Sequence, residues 1–374
     1  MPPASLARRV RAWPYWPLVL FVLGLKALLL VLGAMSLRMP WHFDLAEPNG
    51  FFEIWNRWDA LNYLHIAEYG YQATGDKQHL LAFYPLYPAL IRALEPLCGS
   101  FLAAGFWISS VASVAAALLF HRLVVVDHAE DATRALFFMF VFPTSYALHI
   151  PYTESLFLTL ACGSLLLARS RRWALAGVLG ACAALTRING IALGAALLLE
   201  VWAEYRQDRR WRPQWLFVLL VPAGALGYLL VNQVVAGDPF AFLRFQHEHF
   251  RRTLDWPWNG YAEMWRSVLR NASGEVFVLR GQELLFATLM LAATAASIVR
   301  LRASYSAYMV VNTLLVMSFT YPWSVPRYVV ILFPVYLLMA RLGRRPLVFA
   351  LMTIWCLLFL SFFSSLYVRG FWAF

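Results

Sequence analysis

The stretch RWDALNYLHIAEYGY, Arg57 to Tyr71, sets a carboxylate beside a tryptophan and follows it with amide, phenol and imidazole groups. From Ile54 to Tyr69 the apolar residues Ile54, Trp58, Leu61 and Leu64 recur at helical spacing, while Asp59, Asn62, Tyr63 and Ile66 fall three or four apart on another face. The spacing predicts an amphipathic helix lying at a membrane surface, with its Trp and Tyr at headgroup depth. A carboxylate at such a boundary loses part of its hydration and stays ionised, which suits a base that accepts a proton from a sugar hydroxyl. Asn62, Tyr63 and His65 are the neighbouring groups able to position a substrate. The competing reading of Asp59 is a helix cap or a partner for Arg57.

Three further turns bring polar groups to the same expected depth. HIPYTESLF carries Glu154, ALTRINGIAL carries Arg187 and Asn189, and YPWSVPRYVVILFP carries Arg327 and Tyr328. Ionisable residues at membrane depth are costly, and they are kept where they act on a substrate or pair with one another. An acid pair with two arginines suits an anionic lipid substrate. Each also has a structural alternative: Arg327 as a headgroup anchor, Arg187 with Asn189 as satisfiers of broken backbone, and Glu154 as the first-turn acid of a helix. His247, Glu248 and His249 in FQHEHFRR lack a third ligand at a known spacing, so no metal is expected. That segment, with Phe245, Phe250, Trp256 and Trp258, reads instead as a lid or acceptor-facing surface, and Arg251 and Arg252 as contacts for lipid headgroups. Lys26, deep in the first apolar run, either pairs with an acid or lines a cavity.

The elements that must hold these residues follow from composition. With 61% hydrophobic and 14% charged residues over 374 positions, the chain is an all-α integral membrane protein. The +11 net charge does not mark a nucleic-acid partner, because the arginines cluster in short connectors between every second pair of apolar runs. That is a positive-inside pattern, and it places the amino terminus in the cytoplasm. About eleven spans are expected, near 15–37, 101–121, 135–150, 154–168, 173–187, 189–205, 214–236, 283–299, 304–320, 328–341 and 347–367. Residues 1–374 then form a single polytopic membrane domain, with long external connectors at 38–100 and 237–282. Cys98, Cys162, Cys182 and Cys356 offer neither a disulfide framework nor metal-ligand spacing.

RWDALNYLHIAEYGY, AFYPLYPALIRAL, PYTESLFL, LTRINGIAL and PRYVVILFPVYLL come in the order seen in the PIG-V family of membrane mannosyltransferases and their prokaryotic relatives, which this chain resembles from about Arg57 to Leu338. The resemblance implies a multi-span GT-C fold whose first external loop carries two surface helices, the second being PLYPALIRAL. It implies that Asp59 is the catalytic base of an inverting transfer. The implied donor is a polyprenyl-phosphate sugar, most simply mannose, used without nucleotide, and the acceptor a glycolipid; no cofactor is expected and no divalent metal is predicted. Arg327, Arg187 and Tyr328 become the donor-phosphate contacts, and Glu154 and Asn189 join the substrate-positioning set. Where family members often carry His three residues after the Asp, this chain has Asn62, and its next histidine is His65. The implied location is a bacterial plasma membrane with the site facing outward, or the lumenal face of the ER membrane in a eukaryote. Two rival readings share the same spans: a transporter of lipid-linked sugars, and a non-catalytic subunit of a glycosylation complex.

Overall fold

The computed structural model describes residues 15–38, 50–270, 273–320 and 322–373, apart from the side chains of 275 and 276. The basic start at Arg8, Arg9 and Arg11 lies outside them. Among the described residues the chain is helical, with one isolated antiparallel bridge between Leu254 and Phe319. In chain order the helices are α1 (Trp16–Arg38), α2 (Asp59–Tyr69), α3 (Leu86–Cys98), α4 (Phe101–His128), α5 (Ala132–Val141), α6 (Glu154–Arg169), α7 (Trp173–Thr186) and α8 (Ala192–Asp208). They continue with α9 (Leu220–Ala236), α10 (Ala241–Glu248), α11 (Pro257–Arg270), α12 (Glu275–Arg300), α13 (Ala303–Met317), α14 (Val325–Val330), α15 (Pro334–Leu342) and α16 (Pro346–Val368).

Among the described residues, six stretches are long and apolar enough to cross a membrane: Trp16–Arg38, Phe101–Val141, Ile188–Asp208, Pro213–Ala236, Phe277–Arg300 and Pro346–Val368. The chain is thus an integral, multi-pass membrane protein. Other expected crossings fall on shorter helices or are interrupted. The run expected at 135–150 stops at Val141, because Phe142 turns extended ahead of Pro143, and a short 3-10 turn follows at Ser145–Leu148. The run expected at 328–341 breaks between Val330 and Pro334, where the proline opens a new helix instead of extending the old one. Helices do form over both expected surface segments. The first begins at Asp59 rather than Ile54, which sits in a separate turn at Glu53–Trp55.

The chain divides into two compact units. The first comprises Met1–Gly70, Leu86–Gly163 and Met339–Ala373; the second comprises Tyr71–Pro85 and Ser164–Leu338. In the first, α4 is the central pillar: Ser100 caps it by accepting from the Ala103 amide at 3.2 Å, and α1, α2, α3 and α5 pack along it. Gly33 lets α1 meet the Trp55 ring, since a Cβ there would lie 2.4 Å from it. Asp131, fully buried between α4 and α5, takes Arg344 at 2.7 and 2.9 Å and Arg134 at 2.9 Å. In the second, α7 packs on α9 and α8 on α13. Glu200 on α8 is gripped by Arg302 at 2.7 and 2.8 Å and by Ser304. Several connector arginines therefore pin helix ends to buried acids, in addition to contributing charge at a membrane face.

Lys26 lines a cavity of 730 Å³ in the first unit, together with Phe52, Glu53, Phe106 and Trp107. Its ammonium donates to the His149 carbonyl at 2.9 Å and to Ser110. That carbonyl belongs to the irregular stretch before α6, so Lys26 satisfies backbone that no helix satisfies.

Candidate active site

In the first unit, Asp59 is the first residue of α2 and is half-buried. A carboxylate in the first turn interacts favourably with the exposed amides and the positive end of the helix dipole. The residue before it is strained. Trp58 has φ 53° and ψ −120°, a conformation that costs a residue with a Cβ on the order of 1–3 kcal/mol. Surrounding contacts hold it there: Trp372 meets the Trp58 ring edge-on at 5.1 Å, and the buried Tyr367 hydroxyl donates to the carbonyls of Trp55 and Arg57 at 3.1 and 2.9 Å. Asp59 is therefore aimed by α16 as well as by its own helix. Tyr367→Phe should keep the fold, lower stability by about 1 kcal/mol for the lost buried hydrogen bond, and reduce activity several-fold; thermal unfolding and turnover measured on one preparation check both.

Along α2, Asn62 and Tyr63 follow Asp59 by three and four residues and share its side of the helix, whereas His65 lies around the barrel and packs on Tyr69 at 4.8 Å. The buried face is Ala60, Tyr63, Ile66 and Ala67, while Leu61 is 51% exposed. Of the expected apolar face, Ile54 is buried in its separate turn, but Trp58 and Leu61 are exposed and Leu64 is only half-buried, so on α2 that face is not the one that packs inward. Tyr63 meets Tyr87 edge-on at 5.3 Å, and Tyr87 hydrogen-bonds Ser109 at 2.8 Å, which ties α2 through α3 to α4. Glu154, fully buried, opens α6 and contributes its charge to the surroundings of Tyr87.

The second unit holds the other named residues, and it brings them together. Arg187 precedes the turn Ile188–Ile191 in extended backbone and lays its guanidinium over the Tyr328 ring at 5.3 Å. Arg327 and Tyr328 lie on α14; Arg187 is 6% exposed and Arg327 7%. Arg252, Arg187 and Arg327 all act electrostatically on the Tyr328 hydroxyl. Asn189 donates to Asn312 at 2.8 Å, and its buried Oδ1 has no hydrogen-bond partner among the described residues. Gly190 permits this turn: a Cβ there would stand 2.3 Å from the Ala184 nitrogen, backbone that cannot step aside.

Sequence reasoning passed over Glu283. It is fully buried on α12, and its two carboxylate oxygens accept from the Ser324 and Val325 amides, both at 2.8 Å. These are the orphan amides at the start of α14, and Ser324 sits at φ 64°. Glu283 thereby fixes the helix that carries Arg327. The available signal was an acid inside an apolar run. Glu283→Gln leaves one oxygen and turns an NH₂ toward the second amide, so we expect a stability loss of about 2 kcal/mol and roughly tenfold slower turnover, measured by denaturant unfolding and by assay.

The His247–His249 segment holds no metal-like cluster: among the described residues no group of three or more His, Cys, Asp or Glu side chains comes together. His249 stacks on His79 at 3.8 Å instead, beside a small core of Leu81, Ala241 and Phe245. Burial, and then the His249 charge, hold the His79 pKa below its usual value, against the pull of the Asp76 carbonyl. The unfolded segment binds the proton more readily, so this contribution to stability is complete above about pH 6.5 and is lost as pH falls toward the lowered value. Amides over Gln78–Ala82 and Ala241–Glu248 should exchange faster at pH 5 than at pH 7 after correction for intrinsic rates, and His79→Phe should remove the difference.

Comparison with known proteins bears on the family and the fold. The family model for mannosyltransferase (PIG-V) matches residues 35–265. Mouse GPI alpha-1,6-mannosyltransferase 2 is 35% identical over 208 residues, 51% of this chain and 40% of the mouse protein. The rat protein of the same name is 33% identical over 156 residues, 38% of this chain and 31% of its own length. The matches thus span less than half of either relative. Among solved structures, the crystal structure of ArnT from Cupriavidus metallidurans, bound to undecaprenyl phosphate, aligns over 87% of this chain and 60% of its own with a TM-score of 0.50 at 16% identity. That likeness shows a GT-C fold. With the family model covering well over half of its residues, the chain belongs to the PIG-V mannosyltransferase family.

Proposed function

We propose that this protein transfers a sugar, mannose by family membership, from a polyprenyl-phosphate donor to a lipid-linked acceptor at the extracytoplasmic face of the membrane. The observation that carries the reading is the meeting of Arg187 and Arg327, both almost fully buried and far apart in sequence, around Tyr328. Guanidinium stays charged at low dielectric and binds phosphate through paired donors, so this arrangement suits an anionic lipid head. ArnT, with the same fold, was crystallised with such a lipid phosphate.

Asp59 accepts the proton of an acceptor hydroxyl as that oxygen bonds to the anomeric carbon. The bond from that carbon to the phosphate oxygen breaks, and its electron pair leaves with polyprenyl phosphate. The attack comes from the face opposite the leaving group, so configuration inverts. The departing phosphodiester, with one negative charge, becomes a monoester approaching two, and fixed cations stabilise the charge as it develops. Asn62, Tyr63, His65, Glu154 and Asn189 are the groups proposed to position substrates.

The test is donor use by membranes containing the protein. Labelled polyprenyl-phosphate mannose, with no nucleotide sugar present, should pass its label to a new lipid species. Label that merely changes membrane side while remaining on its original carrier would replace this reading with transport.

A further inference from the structure

We propose that Arg252 is a third phosphate-binding cation of the donor site, presented by a backbone clip that joins the α10–α11 connector to the segment before α14. The inference rests on the donor reading above and adds a contact to it. Arg252 lines a narrow cleft with Asn189, Phe319, Trp323 and Tyr328. Its guanidinium hydrogen-bonds the Tyr328 hydroxyl and, with those of Arg187 and Arg327, acts on it electrostatically. Unlike Arg187 and Arg327, which are almost fully buried, Arg252 is half-exposed and so can be reached from outside.

Its position is built. Arg251 takes a left-handed conformation at φ 54°, and the Arg252 amide closes back on the Gln246 carbonyl at 2.8 Å. Beyond it, the chain pairs with residues 318–320 as a two-stranded fragment, where the other described residues form helices, turns and loops. The Thr320 amide donates to the Thr253 carbonyl at 2.9 Å, the Asp255 amide to the Ser318 carbonyl at 3.0 Å, and the two threonine hydroxyls meet at 3.0 Å. Such pairing fixes backbone direction far better than a bare loop does.

The side chain is under-used in this state. Of its five N–H donors, the guanidinium spends one on the Trp323 carbonyl at 3.2 Å and another on the Tyr328 hydroxyl, and the buried Nε has no hydrogen-bond partner among the described residues. A buried donor left unmade is costly, and in a site of this kind it marks a place for an absent acceptor. Phosphate oxygens satisfy both that donor and the fork geometry of guanidinium. The chemistry also asks for such a group. Two buried arginines match the donor's resting charge with one to spare, and a third adds attraction as the leaving phosphate approaches two negative charges.

The experiment uses the full-length protein in detergent, with binding of polyprenyl phosphate and of phosphate-free polyprenol measured alongside transfer kinetics. Arg252→Met should weaken polyprenyl phosphate binding at least tenfold, leave polyprenol binding unchanged, and lower kcat/KM for the donor about fiftyfold without moving the acceptor KM. Arg252→Lys should recover part of each loss. Thr320→Val, which loosens the clip and spares the guanidinium, should lower donor kcat/KM by a smaller factor. Equal polyprenyl phosphate binding by wild type and Arg252→Met, in a protein that still transfers sugar, overturns the assignment and leaves the donor reading standing. Failure of wild type to bind polyprenyl phosphate at all overturns both.

Discussion

Asp59→Asn is expected to lower sugar transfer by about a hundredfold or more, with expression and folding intact. The substitution keeps the size of the side chain and its ability to accept from amides at the start of α2, so a structural cap would survive it largely unchanged. What it removes is the capacity to take a proton. Because the loss falls on the chemical step, kcat should drop while KM for donor and acceptor stays within a few-fold. Equal transfer by the two proteins would return Asp59 to a structural role. The strained Trp58 adds a second reason to expect a catalytic role. Backbone held at φ 53° directly before the carboxylate is maintained by Trp372 and Tyr367 at the far end of the chain, an arrangement that a helix cap alone does not require.

The second large effect is expected at Arg327. Removing one fixed cation from a site of developing charge commonly costs on the order of 3 kcal/mol of transition-state stabilisation, or about a hundredfold in rate. Arg327→Met should therefore cut kcat/KM for the donor by about two orders of magnitude. Arg327→Lys should recover only part of it, since an ammonium lacks the paired donors of guanidinium. A membrane anchor would behave differently: Lys would replace Arg almost fully, and any loss would appear as reduced protein in the membrane. Steady-state donor kinetics on matched amounts of protein separate the two. Arg187→Met should act in the same direction with some loss of stability as well, because Arg187 also packs on the Tyr328 ring.

Much of the fold was legible because composition and hydropathy report burial in lipid directly. The first span, the first surface helix and the turn around Asn189 come from pattern, and the second surface helix from the family resemblance. The breaks at Phe142 and Ile331 were written as Pro143 and Pro334 but read as interruptions that a longer apolar run would absorb. On α2 the ambiguity was physical: at a membrane surface, apolar residues can face either protein or lipid, so Leu61 and Trp58 looked like the packed face when Ala60 and Tyr63 are. The candidate site was legible in the sequence where its motif is local, as with Asp59 beside Trp58. It was not readable where distant segments combine. Arg252 reaches its cleft through pairing with Thr320, and Glu283 reaches α14 from α12, neither of which leaves a spacing signal. The Glu53–Trp55 turn and Tyr367 are likewise joined only in three dimensions.

The central claim is a single inverting displacement from a lipid-phosphate donor, and the anomeric configuration of the product tests it most directly. Purified protein would be given polyprenyl-phosphate mannose of defined anomeric configuration, and the configuration of the new glycosidic bond determined by NMR and by linkage-specific glycosidases. The account predicts the opposite configuration in the product. Retention of the donor configuration would contradict it, since it requires a covalent intermediate or a second displacement that one carboxylate at Asp59 does not supply.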